Sequence, residues 1–174
     1  MIEDFAQLIK QAAAGDEASV HRLLEHFRAQ AISVEEQEQL QLYLKHAARQ
    51  DHHAIYLQGI LYEHGYGVAQ DNDMAFLLMR EAAGKGNAKA TYEVGRHYLQ
   101  GIGVSQHYEN AFQWLSRAAG SPHYVPEAMY DLARLYENGW GVAPDANEAR
   151  AWYEKAASKG HEAAKKALAA IKSK

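Results

Sequence analysis

The sequence predicts an all-α fold: a right-handed α–α superhelix (solenoid) of about four helix-turn-helix repeats with a leading and a capping helix. The first observation is a repeated phrase. Tyr62-x-x-Gly65-x-Gly67-Val68 returns as Tyr98-x-x-Gly101-x-Gly103-Val104 and Tyr136-x-x-Gly139-x-Gly141-Val142, at spacings of 36 and 38 residues. The second is that each phrase lies between two stretches whose apolar residues recur on a helical period. The third is that such a stripe cannot be buried by one helix pair alone, so the pairs must stack on one another.

The chain opens with a predicted leading helix over residues 2–14. A degenerate repeat completes residues 1–53. Its first helix begins at Asp16, which can cap it, and carries Val20, Leu23, Leu24 and Phe27. Its second begins at Ser33, and Glu36 three residues on makes a capping box. Leu42-Tyr43-Leu44-Lys45-His46-Ala47-Ala48 in that helix echoes Trp152-Tyr153-Glu154-Lys155-Ala156-Ala157 near the end of the chain.

Three regular units follow over 54–89, 90–127 and 128–163. In the first unit Ala54, Leu57, Gln58, Leu61 and Tyr62 form one stripe on the first helix. Second helices are marked by Ala75, Ala111 and Ala149, by the bulky set Leu78, Trp114 and Trp152, and by Met79, Leu115 and Tyr153. In the middle unit Ala111, Trp114, Leu115, Ala118 and Ala119 share one face. Glycine just past a last helical turn takes the left-handed conformation without steric cost, so Gly-x-Gly reads as a helix stop, and the valine after it plugs the gap between layers.

Each second helix starts at an aspartate, Asp71 or Pro144-Asp145, the latter with Glu148 in a capping-box-like arrangement. His107 stands in that place in the middle copy, so Ser105 is the expected cap there. The two extra residues of the longer spacing fall in Gly120-Ser121-Pro122-His123-Tyr124-Val125-Pro126, an exposed loop that is either a tolerated insertion or part of a binding face. A capping helix over 161–172, lysine-rich on its outer side, closes the stack.

Composition agrees with one domain over 1–174. With no cysteine in the chain, disulfides, thiolate metal sites and thiol nucleophiles are excluded, and the cytoplasm is the default expectation. The acidic start Met1-Ile2-Glu3-Asp4-Phe5 is unlike a signal peptide. No apolar run reaches membrane-span length; Ala167 to Ile171 is only five residues. Eighteen basic against twenty-two acidic residues give a net charge of -4, which excludes the clustered basic footprint of a nucleic-acid binder. Lys155, Lys159, Lys165, Lys166, Lys172 and Lys174 gather near the end, where helix C-termini favour cations.

Ten histidines raise the question of a metal. The nearest approach to a cluster, His52-His53 with Glu63-His64, lacks a closed ligand spacing. The Gly-x-Gly turns follow helices and lack the third glycine of a phosphate cradle. No Gly-x-Ser-x-Gly elbow occurs, and Glu35-Glu36 reads as helix surface. No catalytic residue, metal ligand or cofactor is therefore expected.

From Ala54 to Gly160 the motif Ala54-x4-Gly59-x2-Tyr62-x2-Gly65-x-Gly67-Val68-x2-Asp71-x3-Ala75, with its counterparts from Ala90 and Ala128, resembles the Sel-one-like repeat family, relatives of the tetratricopeptide repeat. Departures are Gln58 for leucine, Ala133 for glycine, His107 for aspartate, and Met74, Asn110 and Glu148 for lysine. The resemblance implies adaptor or scaffold work in bacterial envelope, secretion and signalling pathways or in eukaryotic protein quality control. A cysteine-rich, disulfide-bonded subfamily reported to bind penicillin is excluded by the missing cysteines.

By similarity to tetratricopeptide repeats, the concave surface is lined by Tyr56, Ile60, Glu63 and His64, by Tyr92, Arg96 and Gln100, and by Tyr130, Arg134 and Asn138. Tyrosine and arginine give large contact area and directional hydrogen bonds, so the implied ligand is a protein or peptide, with carboxylates or a free C-terminus matching Arg96 and Arg134. The alternative is that the tyrosines pack on neighbouring helices while the arginines pair with Glu93, Glu127 or Asp131. Other readings are a small enzyme acting on peptides or cell-wall fragments, an immunity or regulatory protein neutralising one partner, and self-association through open solenoid ends.

Overall fold

The structure, a computed structural model, describes residues 5–29, 32–47, 51–120 and 122–172. All regular secondary structure among them is helical. The chain divides into two compact units, Met1–Asn87 and Ala88–Lys174.

The first unit holds α1 (Phe5–Ala13), α2 (Glu17–Ala29), α3 (Val34–Ala47), α4 (His52–His64) and α5 (Asn72–Gly84). Leu8, Ile9, Leu23, Phe27, Leu40, Leu57 and Leu61 meet in its core. The start of the expected leading helix, at Ile2, lies outside the described residues, as does Ala48 of the echoing segment. Asp16 caps α2, its Oδ2 accepting from Ser19 N at 2.9 Å. The Ser33 box is reciprocal: Glu36 N donates to Ser33 Oγ at 3.1 Å, and Ser33 N donates to Glu36 Oε2 at 2.8 Å. That backbone hydrogen bond is the main cause holding the Glu36 carboxyl below its ordinary pKa.

The second unit holds α6 (Ala88–Gln100), α7 (Tyr108–Ala119), α8 (Pro126–Asn138), α9 (Ala146–Ser158) and α10 (Glu162–Lys172). The pairs α6/α7 and α8/α9 are two repeats, and α10 packs on α9. Leu99, Leu115, Met129, Leu132, Leu135 and Tyr153 fill the core, with alanines where the helices come closest.

The recurrent phrase has one backbone geometry in all three copies. The carbonyls of Tyr62, Tyr98 and Tyr136 accept from the N–H of Asp71, His107 and Asp145 at 2.9, 2.9 and 3.0 Å. Each first helix is thus tied to the cap of its second. The residue after the first glycine, Tyr66, Ile102 or Trp140, donates its N–H back to Leu61, His97 or Leu135 at 2.9 to 3.1 Å, the long bond of a Schellman stop. Gln70 and Gln106 add a side-chain N–H to the carbonyls of Glu63 and Leu99 at 2.8 Å.

The second glycine serves a different need from the first. A Cβ on Gly141 would lie 2.3 Å from the carbonyl carbon and oxygen of Tyr108, so the turn presses directly on the start of α7. A Cβ on Gly67 would instead meet side-chain ends, the Leu40 Cδ2 of α3 at 2.4 Å and Ile32 Cδ1 at 3.0 Å. Between the glycines, Trp140 stacks on Tyr108 with centroids 5.6 Å apart, and Tyr66 stacks on Phe27 at 5.2 Å. Val68 and Val142 are half-buried against the cores as expected, but the ring beside them does much of the plugging.

One expectation is corrected. Ser105 does not cap α7; His107 does, its ring Nδ1 accepting from Asn110 N at 3.3 Å. The imidazole Nδ1 is bonded to Cγ as the aspartate oxygen is, so it reaches the same amide that Asp71 and Asp145 hold at 2.9 and 3.1 Å.

Candidate functional site

On α6 and α8 the sequence candidates fall four residues apart and so share a face of each helix. Tyr92 on α6 reaches across to α8, where its hydroxyl donates to Asp131 Oδ2 at 3.2 Å. Arg134 Nη1 donates to the other oxygen, Oδ1, at 3.4 Å. Asp131 is buried, 8% exposed. Burial pushes its carboxyl pKa up, while the Arg134 charge and the hydrogen bonds from Tyr92 and Arg134 pull it back. Burial, with the Asp131 charge second, also raises the Tyr92 phenol pKa.

Arg134 is held over aromatic faces as well, 5.7 Å from the Trp140 centroid and 6.0 Å from Tyr130. Tyr130 in turn stacks on His161 at 4.7 Å and tilts against Tyr153 at 5.6 Å. The Tyr153 hydroxyl donates to Glu137 at 2.7 Å, and its pKa is raised by burial first and this hydrogen bond second. Arg96 donates to Glu93 through Nε and to Gln100 Oε1 through Nη1 at 3.3 Å. Asn138 donates to the Arg134 carbonyl at 2.8 Å. Both arginines therefore already have a carboxylate three residues before them, and the ring packing foreseen as the alternative is present too. What this face offers is an ordered set of half-exposed rings and amides with a guanidinium fixed among them.

On α4, Tyr56 is half-buried and His64 exposed, whereas Ile60 and Glu63 are buried at 7% and 8% exposure. The His64 ring lies 5.2 Å from Tyr66. His52 and His53 stand at the opposite end of this helix from Glu63 and His64, so the four do not converge. Their rings lie 4.1 Å apart beside Asn87, whose Nδ2 is 3.3 Å from His52 Nδ1. Burial, and then the neighbouring His52 charge, lowers the His53 pKa.

Sequence reasoning named Asp131 only as a possible partner of the arginines, and missed Trp140, Tyr153 and His161 as parts of the α8 face. A signal for Asp131 exists: in the repeat frame Leu57, Glu93 and Asp131 are equivalent, as are Ile60, Arg96 and Arg134. An apolar pair in one copy becomes an acid and an arginine in the other two, which marks the two positions as touching.

A family profile described as "Sel1 repeat" matches residues 52–87, 88–122 and 126–161. Its frame starts two residues ahead of the sequence-derived units. Among solved structures, a Sel1 repeat protein from Oxalobacter formigenes is 40% identical with a TM-score of 0.65, over 73% of this chain and 95% of that one. A protective antigen present in uropathogenic Escherichia coli strains, displaying an SLR fold, is 28% identical with a TM-score of 0.70, over 90% of this chain but 33% of that longer protein. Cysteine rich protein B of Helicobacter pylori, 20% identical with a TM-score of 0.57 over 80% of this chain and 100% of that one, shares the fold. No curated protein matches the sequence.

Proposed function

Because the chain belongs to the Sel1 repeat family, whose members are generally protein–protein interaction modules on a non-enzymatic repeat scaffold, we propose that it binds a partner protein and that the α6/α8 face of the second unit is a contact surface. The observation that carries the proposal is the fixing of Arg134: paired to Asp131, lying over Tyr130 and Trp140, it is still 39% exposed at its side chain. A guanidinium held in place beside aromatic rings loses little conformational entropy when it is covered, which is the usual make-up of an interface anchor. The partner's matching surface is polar and aromatic with accessible carbonyls or carboxylates, because this face exposes the Gln100 and Asn138 amides together with the half-buried Tyr130 ring and Arg134.

The test compares capture by the wild-type chain and by the double variant Arg96→Glu, Arg134→Glu. A partner identified with the wild type is then purified and titrated against both proteins, with helical content followed by circular dichroism. Loss of binding at unchanged helicity supports the α6/α8 face. Equal affinity for both proteins rejects it.

A further inference from the structure

A pocket of about 360 Å³ opens in the second unit where the end of α7, the connection after it, α8 and α9 meet. None of the α6/α8 candidates lines it. Its lining includes the buried apolar residues Ala119 and Met129, the rings of Tyr124 and Trp152, and the ammoniums of Lys155 and Lys159. Lys155 Nζ sits 3.6 Å from the Trp152 ring centroid and Lys159 Nζ 5.4 Å from that of Tyr124. Among the described residues neither ammonium has a carboxylate partner, in contrast to Arg96 and Arg134. Trp152 Nε1 is buried and has no hydrogen-bond acceptor among them, although a buried indole N–H ordinarily finds one.

The connection that supplies Tyr124 is the one carrying the two residues that lengthen the second spacing. It is folded, not slack: Tyr124 N donates to Gly120 O at 2.9 Å, Val125 N donates to Ala118 O at 3.0 Å, and Tyr124 takes a left-handed φ of 53°. The helix-end preference for cations accounts for Lys155 on the last turn of α9 and Lys159 at its C-cap. It does not account for two aromatic rings and an apolar floor lining one pocket with them.

We propose that this pocket captures the free C-terminus of a peptide whose last residue is apolar. Two ammoniums without a carboxylate partner, four residues apart in sequence, match one carboxylate. The apolar floor and rings match a side chain. Within a peptide, only the chain terminus carries a carboxylate and an apolar side chain on the same carbon. An aspartate or glutamate side chain would bring the charge and leave the floor uncovered. The site is independent of the α6/α8 face, so either can fail alone.

The test follows the indole N–H signals of the full-length 15N-labelled chain by NMR, with the Trp152 signal assigned through Trp152→Phe. The probe is the tripeptide Ac-Ala-Ala-Phe with a free carboxylate. The expected result is a saturable shift of the Trp152 signal while that of Trp140 stays in place. The amidated tripeptide, Ac-Ala-Ala-Glu-amide and the double variant Lys155→Gln, Lys159→Gln should each bind at least about tenfold more weakly, with the variant's remaining signals reporting an intact fold. Equal binding of the amide or undiminished binding by the double variant overturns the proposal. So does a comparable shift with inorganic phosphate, or no shift at about 10 mM peptide, the weak edge of measurable affinity.

Discussion

The Tyr92 hydroxyl lies 3.2 Å from Asp131 Oδ2, which joins the first helices of two successive repeats through a partly buried hydrogen bond. Tyr92→Phe keeps the ring and deletes the donor, leaving the carboxylate short of one partner. The loss should be about 1–2 kcal/mol at neutral pH, read from urea unfolding, and should shrink in acid, where a protonated carboxyl needs that donor less. A loss that stays constant over the pH range would mean the hydroxyl matters only through packing.

Asp131 predicts a pH dependence of definite sign. Its folded pKa is raised, first by burial, above the ordinary 3.8. The folded carboxyl then holds its proton more tightly than the unfolded one, so its contribution is fully present below the unfolded pKa and is lost as pH rises through the raised value. Asp131→Asn cannot ionise. The stability of the wild type relative to this variant should therefore decline as pH rises from about 4 towards 7, measured by thermal melts across that range. A relative stability that grows with pH would show that Arg134 and Tyr92 outweigh the burial.

His107 caps α7 with a longer hydrogen bond, 3.3 Å, than the 2.9 Å that Asp71 gives α5. His107→Asp should restore the stronger acceptor and place a negative charge at a helix N-terminus, gaining about 0.5–1 kcal/mol. His107→Ala should lose a similar amount. Chemical denaturation distinguishes the three proteins, and an unchanged midpoint for both variants would show that Asn110 N is satisfied by water at no cost.

Gly139 and Gly141 share a φ of 69° but not their surroundings. A Cβ on Gly139 would touch Pro144 Cδ at 3.2 Å, while one on Gly141 would sit 2.3 Å from the Tyr108 backbone. Both alanine variants bear the left-handed strain of about 1 kcal/mol. Gly141→Ala must also push the turn off α7, so its loss should exceed that of Gly139→Ala by about 1–3 kcal/mol, with the Trp140 fluorescence altered as its stack on Tyr108 opens. Equal losses would reduce the role of the second glycine to backbone conformation alone.

Helix propensity alone favours alanine over glycine inside α6 by about 1 kcal/mol. Packing reverses the sign at Gly95, where a Cβ would come within 2.8 Å of Leu115 Cγ and 3.2 Å of its backbone nitrogen. Gly95→Ala should therefore destabilise, and Leu115→Val in the same chain should recover only part of the loss. A stabilised single variant would mean that α6 and α7 can separate by a few tenths of an ångström without cost.

Much of this molecule is written in its local sequence. Helix starts at Asp16, Ser33, Asp71 and Asp145, stops at Gly65, Gly101 and Gly139, and the periodic stripes are each legible because a cap, a left-handed turn or a helical face depends on residues within one turn of one another. The repeat frame itself then pairs α4 with α5, α6 with α7 and α8 with α9. What stayed illegible is one choice between neighbouring caps and every contact between residues far apart in the chain. Whether His107 or Ser105 caps α7 was decided by which side chain reaches Asn110 N. That Asp131 is buried between Tyr92 and Arg134, and that Lys155, Lys159, Tyr124 and Trp152 share one pocket, follows from how α6, α8 and α9 pack. Hydrogen bonding and apolar period act along the chain and so can be read from it, whereas burial of a charge and the convergence of side chains exist only once separate helices have met.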